Sequence, residues 1–299
     1  MIQNKNYLSI YAKSFNWAGF FLPKITYKKC SSLYNFCRVV DNIADEKNSV
    51  EIKKSEFNEF KNNFIQKNYN NPIIKNMWEI IDEFNISLKV VNDLFDGIQS
   101  DIKHTVKLNS KKELLIYSYR VAGTVGLMMA KILKVNKKSS LKSAIDLGIA
   151  MQLTNISRDV VEDLNNGRSY INENFDDIKS TLQLAEKFYE SSFHSINEIS
   201  ISFRFSILVA RRVYRKIGHK ILDKKNLENY KASGKIFVSN LEKLIETFFA
   251  IFDLIKLLIL NKNDNHIQHD HFLNFLRLHE DEAPVETDNL SSNMSSKDA

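Results

Sequence analysis

Apolar residues recur at intervals of three and four along most of this chain, the spacing that places side chains on one face of an α-helix. The pattern predicts a first helix from Tyr7 to Phe21, ended by Pro23, and a second opened by Thr26 or Tyr27 that runs through Asp45. Residues 47–75 are polar with scattered Phe and Ile, and read as an exposed helix and a loop around Asn70 to Pro72. Met77 to Phe84 and Val90 to Ile98 are short amphipathic helices. Ser110, with Glu113 three positions on, forms a capping-box pattern and opens a helix through Tyr117 and Tyr119. Leu141 to Leu164 is the central helix, closed by Asn165, Asn166 and Gly167, since Gly is a natural C-terminal stop. Thr181 to Glu198 and Ile201 to Leu222 complete the amphipathic series, and His194 falls on a surface position. Leu241 to Leu260 is very apolar but carries Asp253 and Lys256. A bilayer-spanning helix needs about 20 mostly apolar residues, so this run reads as a core or membrane-docking helix. The expected architecture is an all-α single domain over residues 1–260. An acidic polar tail, 261–299, follows; it is expected to be disordered from about Glu280, with one short helix near His271 to Leu278.

Composition supports mostly helix: of 299 residues 43% are apolar, and only 8 Gly and 3 Pro (Pro23, Pro72, Pro284) force helices to stop. Cys30 and Cys37 are seven apart on one predicted helix, about 10 Å along its axis, too far for a disulfide. With no signal-peptide pattern at the N-terminus, the expected location is a reducing cytoplasm. The net charge of +6 hides an asymmetry. Beyond Leu260 there are three basic and eight acidic residues, −5, which leaves residues 1–260 at +11. A basic body suits a diphosphate substrate and an anionic membrane surface, such as the inner face of the cytoplasmic membrane. No zinc-ligand spacing or nucleic-acid-binding motif accompanies it, so nucleic acid is not an expected partner.

The chemistry concentrates in Met151 to Ile171, MQLTNISRDVVEDLNNGRSYI. Gln152, Asn155, Asp159 and Asp163 fall on one helical stripe, with Glu162 beside it and apolar residues between. Two carboxamides and two carboxylates on a largely buried helix are costly without partners. A hard divalent cation is the obvious one, because Mg²⁺ prefers carboxylate oxygen and keeps water and substrate phosphate as its other ligands. A single pair of Asp residues at this spacing is ordinarily a solvated face. Here the arrangement occurs twice: Asp41 and Asp45 are four apart, with Arg38 and Tyr34 on the preceding turns of the same face. Two such helices facing each other would cage metal ions around a diphosphate, with Arg38 and Arg158 adding charge-assisted contacts.

These two stretches resemble the paired aspartate-rich signatures of the squalene/phytoene synthase family. Further matches follow in the family's order: Ser14-Phe15 with Leu22-Pro23, Asp93 to Asp101, and Tyr117 to Met128 (YSYRVAGTVGLM), close to the phytoene synthase form of that segment. Gln152 to Ile156, Arg158 to Val160, Glu162-Asp163 and Gly167 to Tyr170 match the second signature almost throughout. The resemblance implies an isoprenoid-synthase-type helical bundle around a central apolar pocket. It also implies head-to-head condensation of two geranylgeranyl diphosphates to phytoene, through a cyclopropylcarbinyl diphosphate, in carotenoid biosynthesis. Asp41, Asp45, Asn155, Asp159 and Asp163 would then hold Mg²⁺, or Mn²⁺ in its place. Ser14, Phe15, Tyr34, Arg38, Gln152, Asn155, Arg158, Arg168, Tyr170 and Tyr214 would bind substrate, with Tyr119 donating to the diphosphate or facing a carbocation. Arg168 and Tyr170 would belong to a loop folding over the site.

Three features bear on the resemblance. Asn42 replaces the second aspartate of the commoner first signature, and Lys235 and Phe237 stand where arginines are usual. Gly123 to Gly126 is thin enough either for a pocket wall approached closely by hydrocarbon or for tight helix packing. Arg211, Arg212, Arg215 and Lys216 form a basic patch around Tyr214. The VAGTVG match and the lack of a C-terminal transmembrane anchor favour a phytoene synthase, which needs no NADPH. A squalene or dehydrosqualene synthase acting on farnesyl diphosphate is the alternative. A catalytically silent relative acting as an assembly factor is a third reading, opposed by the intact aspartates.

Overall fold

The computed structural model describes residues 7–260, which lie within one compact unit; the acidic tail and its short expected helix lie outside the described residues. The fold is a layered set of helices. In chain order these are α1 (Tyr7–Tyr11), α2 (Lys13–Gly19), α3 (Lys24–Asp45), α4 (Val50–Ile65), α5 (Pro72–Phe84) and α6 (Leu88–Ser100). A two-residue strand β1 (Val106–Lys107), α7 (Lys111–Ser118), a π-helical turn (Tyr119–Gly123) and α8 (Thr124–Ile132) come next. They are followed by α9 (Lys138–Asn165), β2 (Arg168–Ser169), α10 (Phe175–Phe193), a 3₁₀ turn (His194–Glu198), α11 (Ile201–Leu222), α12 (Leu227–Ala232) and α13 (Asn240–Leu260).

Local chemistry sets many of the boundaries. Ser49, Asn71, Ser87, Ser110, Asn174 and Asn226 each accept a hydrogen bond from a backbone N–H in the first turn of the helix they precede, satisfying a donor left orphaned there. The predicted first helix is instead two, because the backbone leaves helical geometry at Ala12 (φ −107°, ψ 59°). The break lets α1 lean on α3 while α2 packs on α11. The stretch after residue 47 is also less exposed than its polar composition suggests. Phe57, Phe60 and Phe64 of α4 are buried, and Phe64 lies 5.3 Å from Phe36 and 5.4 Å from Phe95, ring centre to centre. This aromatic cluster anchors α3, the helix that carries the first acidic pair.

The central helix α9 packs on α8, α10, α11 and the π turn. Its approach to α8 decides the question left open by the thin stretch. A Cβ at Gly126 would lie 2.2 Å from the carbonyl oxygen of Ala144, and one at Gly148 would lie 2.3 Å from that of Ala122. Both glycines are therefore required for close backbone contact, and a methyl group at either would force the helices apart, with an overpacking cost of roughly 1–3 kcal/mol. The neighbours Val121, Ala122 and Val125 face a cavity, so one segment serves packing and wall together.

Candidate active site

A cavity of about 1960 Å³ opens between α2, α3, the π turn, α8, α9 and α11. One end is acidic and is built from both aspartate stripes; the remainder is lined chiefly by aliphatic and small side chains. On α3, Arg38 Nη1 lies 2.6 Å from Asp41 Oδ2 and 3.7 Å from Asp45 Oδ2. On α9, the Arg158 guanidinium grips Asp159, with Nε donating to Oδ1 over 2.9 Å. Lys235, in the chain between α12 and α13, reaches Glu162 at 2.6 Å and Asp159 at 3.6 Å. A lysine where the family usually has arginine thus still faces the acidic end, as a point charge in place of a fork.

Arg168 joins the two stripes. It donates from Nη1 to Asp45 Oδ1 (2.8 Å) and from Nη2 to the carbonyl oxygen of Ala44 (3.0 Å), and its charge acts on both Asp41 and Asp163. The expected lid is not what holds it. Arg168 and Ser169 form β2, a parallel pair with Val106 and Lys107, and Tyr170 is buried. Tyr170 donates to Asp101 Oδ1 (2.9 Å), and Tyr117 donates to Asp101 Oδ2 (2.7 Å), their rings stacked at 4.6 Å. In place of a free loop, the segment is a wall of the cavity tied by a strand pair and a buried hydrogen-bonded triad.

Asp101, which the sequence reads as solvated or structural, and Tyr117, which opens the matched YSYRVAGTVGLM segment, are site residues to which the sequence assigned no role. Asp101 caps α6 and is only 6% exposed. The available signal was an aspartate ending a strongly amphipathic helix, four positions beyond Gly97 in the stretch that matches the family's mid-chain element. Tyr230, whose hydroxyl donates to the carbonyl oxygen of Arg158 over 2.7 Å, was also missed as a support for the second stripe.

Ser14, Phe15, Tyr34, Arg38, Asp41, Asp45, Gln152, Asn155, Arg158, Asp159, Asp163, Arg168, Tyr170 and Tyr214 all line this one cavity. Phe15 and Tyr214 meet across it with ring centres 4.8 Å apart. Tyr119 does not reach it. Its hydroxyl donates to Asp93 Oδ2 of α6 over 3.0 Å. The reason is periodicity: Tyr117, Val121 and Val125 share the face that lines the cavity, and a residue two positions from Tyr117 points nearly the opposite way. The three arginines of the basic patch on α11 are likewise engaged by other partners. Arg211 is buried and donates to the carbonyl oxygen of Tyr189, Arg212 pairs with Asp253 and Glu246, and Arg215 pairs with Glu186.

Electrostatics at the acidic end favour a cation. Burial raises the Asp163 carboxyl to about 7, reinforced by Asp159 and partly offset by Arg168. Asp41 is shifted upward by burial first and then by Asp45, with Arg38 opposing. Asn155 Oδ1 is buried with no hydrogen-bond partner, between Gln152 and Asp159 on the stripe. An orphaned carbonyl oxygen beside strained carboxylates is a hard-ligand donor set, which fits Mg²⁺. Among the described residues no three Asp, Glu, His or Cys side chains converge on one point. The fit is therefore to an ion completed by water and phosphate oxygens, with Asp41, Asp45, Asn155, Asp159 and Asp163 as candidate ligands.

The raised Asp163 value has a signed consequence. Between the ordinary carboxylate range and about pH 7 the folded protein binds a proton at Asp163 that the unfolded chain does not, so this group's contribution to stability falls as pH rises through that window. Asp163→Asn is expected to melt higher than the wild type at pH 8 without metal, with the gap closing by about pH 5. Thermal unfolding across pH checks this, and a gap that does not change with pH contradicts it.

Comparison with known proteins agrees with this geometry. The squalene/phytoene synthase family profile matches residues 9–175. A 15-cis-phytoene synthase of Enterobacter agglomerans is 28% identical over 247 residues, 72% of this chain and 83% of that one. A solved dehydrosqualene synthase bound to a ligand superposes with a TM-score of 0.72 at 26% identity, covering 84% of this chain and 94% of the other. The squalene synthase HpnC of Alicyclobacillus acidocaldarius shares the fold, with a TM-score of 0.62 at 18% identity, over 75% of this chain and 91% of that one. With more than half of its length matched by the family profile and both acidic stripes facing one cavity, the chain belongs to the squalene/phytoene synthase family.

Proposed function

We propose that this protein is a prenyltransferase that joins two molecules of geranylgeranyl diphosphate head to head, giving phytoene with release of diphosphate and without NADPH. The observation that carries the reading is the meeting of two acidic stripes, with their arginines, at one end of a long and mainly apolar cavity. Similarity to 15-cis-phytoene synthase supports the longer substrate, and similarity to a dehydrosqualene synthase keeps farnesyl diphosphate as the second reading.

Bound Mg²⁺ would supply positive charge that makes diphosphate a better leaving group. Arg38, Arg158, Arg168 and Lys235 would hold phosphate oxygens and take up the negative charge that grows as the C–O bond breaks. The allylic cation then adds to the double bond of the second substrate, and loss of a proton from the attacking carbon closes the ring of a cyclopropylcarbinyl diphosphate. A second ionisation, rearrangement and loss of a proton give the central double bond. Phe15, Tyr34 and Tyr214 can present ring faces to the cations, and the apolar walls exclude the water that would quench them.

The product is a hydrocarbon that must leave for an apolar phase. No helix among the described residues is long and apolar enough to cross a membrane. Helix α13, however, exposes Leu244, Phe248, Phe252, Ile255 and Ile259, each 46% or more accessible, while Ala250 and Leu257 are buried. Lys243 and Asn240, in its first turn, lie at the cavity. We propose that this face docks on a lipid surface, so that the protein is cytoplasmic and peripheral on the inner face of the membrane. Phe248→Glu with Phe252→Glu should abolish co-sedimentation with anionic vesicles; binding equal to wild type would refute the assignment.

Product analysis with purified protein, Mg²⁺ and either prenyl diphosphate, with and without NADPH, tests the reaction. Phytoene from the longer substrate without NADPH is expected, and a thirty-carbon product would select the second reading. Folded protein that makes no hydrocarbon from either would revive the assembly-factor reading. Asp45→Asn and Asp159→Asn should each abolish turnover with the fold retained. More than about a tenth of the wild-type rate in either would count against the cage.

A further inference from the structure

The end of the cavity remote from the aspartates carries four serines among the apolar side chains of Leu133, Val135, Ile196 and Ile199. Ser140 and Ser143 reach it from the first turns of α9, and Ser192 and Ser195 from the end of α10 and the 3₁₀ turn. Ser143 Oγ donates to Ser195 Oγ over 2.7 Å, tying α9 to the 3₁₀ turn where both line the cavity. Ser140 is 4% exposed, and its hydroxyl lies buried with no hydrogen-bond partner. Apolar residues at the serine positions would suit a hydrocarbon tail better, since burying unpaired hydroxyl groups is unfavourable. What serine contributes here is small size at the point where the two walls meet.

Helix α9 runs along the whole cavity and measures it. Residues Asp159 and Ser143 are sixteen apart, about 24 Å at 1.5 Å per residue, whereas Asp159 and Leu147 are about 18 Å apart. An extended chain of single bonds advances about 1.2 Å per bond, as the reach of the polypeptide backbone itself shows. Geranylgeranyl diphosphate has about nineteen such bonds from its outer phosphorus to the far carbon, hence about 23 Å, and farnesyl diphosphate about fifteen, hence about 18 Å. With the diphosphate at Asp159, a farnesyl tail would end beside Leu147. The fourth isoprene unit would occupy the turn of α9 between Leu147 and Ser143.

From this juxtaposition we infer that the Ser143–Ser195 bridge is the stop that sets prenyl length at four isoprene units, which makes these two serines specificity-determining residues. The inference rests on the head-to-head prenyltransferase reading and adds to it the residues that set the length of the tail. Bulk at either serine removes space for the last unit only, because the acidic end is four to five turns of α9 away.

The test is the ratio of kcat/KM for geranylgeranyl over farnesyl diphosphate, with Mg²⁺ and full-length protein. Ser143→Leu combined with Ser195→Ala adds bulk without leaving a buried hydroxyl unpaired. It is expected to lower the ratio at least about tenfold, in line with the discrimination a few misplaced methylenes give. Ser143→Ala removes the bridge without adding bulk, and should lower the ratio far less. Ser195→Leu, which adds bulk from the opposite wall, provides the same test should the first variant fold poorly by circular dichroism. An unchanged ratio in the folded bulky variants overturns the inference, as does an equal fall in Ser143→Ala. A wild type that prefers farnesyl diphosphate also overturns it while leaving the reaction class standing. A wild type inert towards both substrates defeats the underlying reading instead.

Discussion

The structure is arranged around an electrostatic conflict. Asp41, Asp45, Asp101, Asp159 and Asp163 are held near one end of a cavity whose other walls are mainly apolar, and burial pushes Asp41, Asp101 and Asp163 towards their neutral forms. Arg38, Arg158 and Arg168 resolve the conflict in part, each within hydrogen-bond reach of a carboxylate. Arg168 matters most, because its charge acts on both stripes while β2 and the buried Tyr170 fix its backbone. Cations supplied with a diphosphate would complete the neutralisation and free the arginines for phosphate. Carboxylates left buried and only partly paired in this way are what a site for a cationic ligand would be built from.

The rest of the fold serves that arrangement. The Phe36, Phe57, Phe64 and Phe95 cluster holds α3 in place, and the glycine contacts between α8 and α9 bring the second stripe alongside it. Close backbone packing against α9 together with a cavity wall explains why so much of this segment is small. On the proposed reading, the length of α9 separates the acidic end from the end that carries Ser143 and Ser195, so one rigid element would both position the chemistry and measure the tail.

Much of this was legible in the sequence, because the relevant signals are local and periodic. Intervals of three and four placed Gln152, Asn155, Asp159 and Asp163 on one face, and the repeat at Asp41 and Asp45 pointed to a shared ligand; the cavity gathers all six. What was not legible depends on contacts distant in the chain. Whether Asp101 is solvated or buried is decided by Tyr117 and Tyr170, sixteen and sixty-nine residues away. Whether Arg212 is a free cation is decided by Asp253. That Arg168 lies in a strand follows only from its pairing with Val106. Tyr119 differs, since its direction away from the cavity follows from helical spacing relative to Tyr117, and family likeness obscured a geometric signal already present.

The most direct test of the central claim is titration calorimetry of the full-length protein with inorganic pyrophosphate, in the presence and absence of Mg²⁺. The account predicts binding that requires Mg²⁺ and is lost in the Asp41→Asn, Asp163→Asn double variant, whose folding is verified separately. Pyrophosphate binding of equal strength with and without Mg²⁺, or undiminished in that variant, would show that the arginines alone form the site and that the acidic stripes have another purpose.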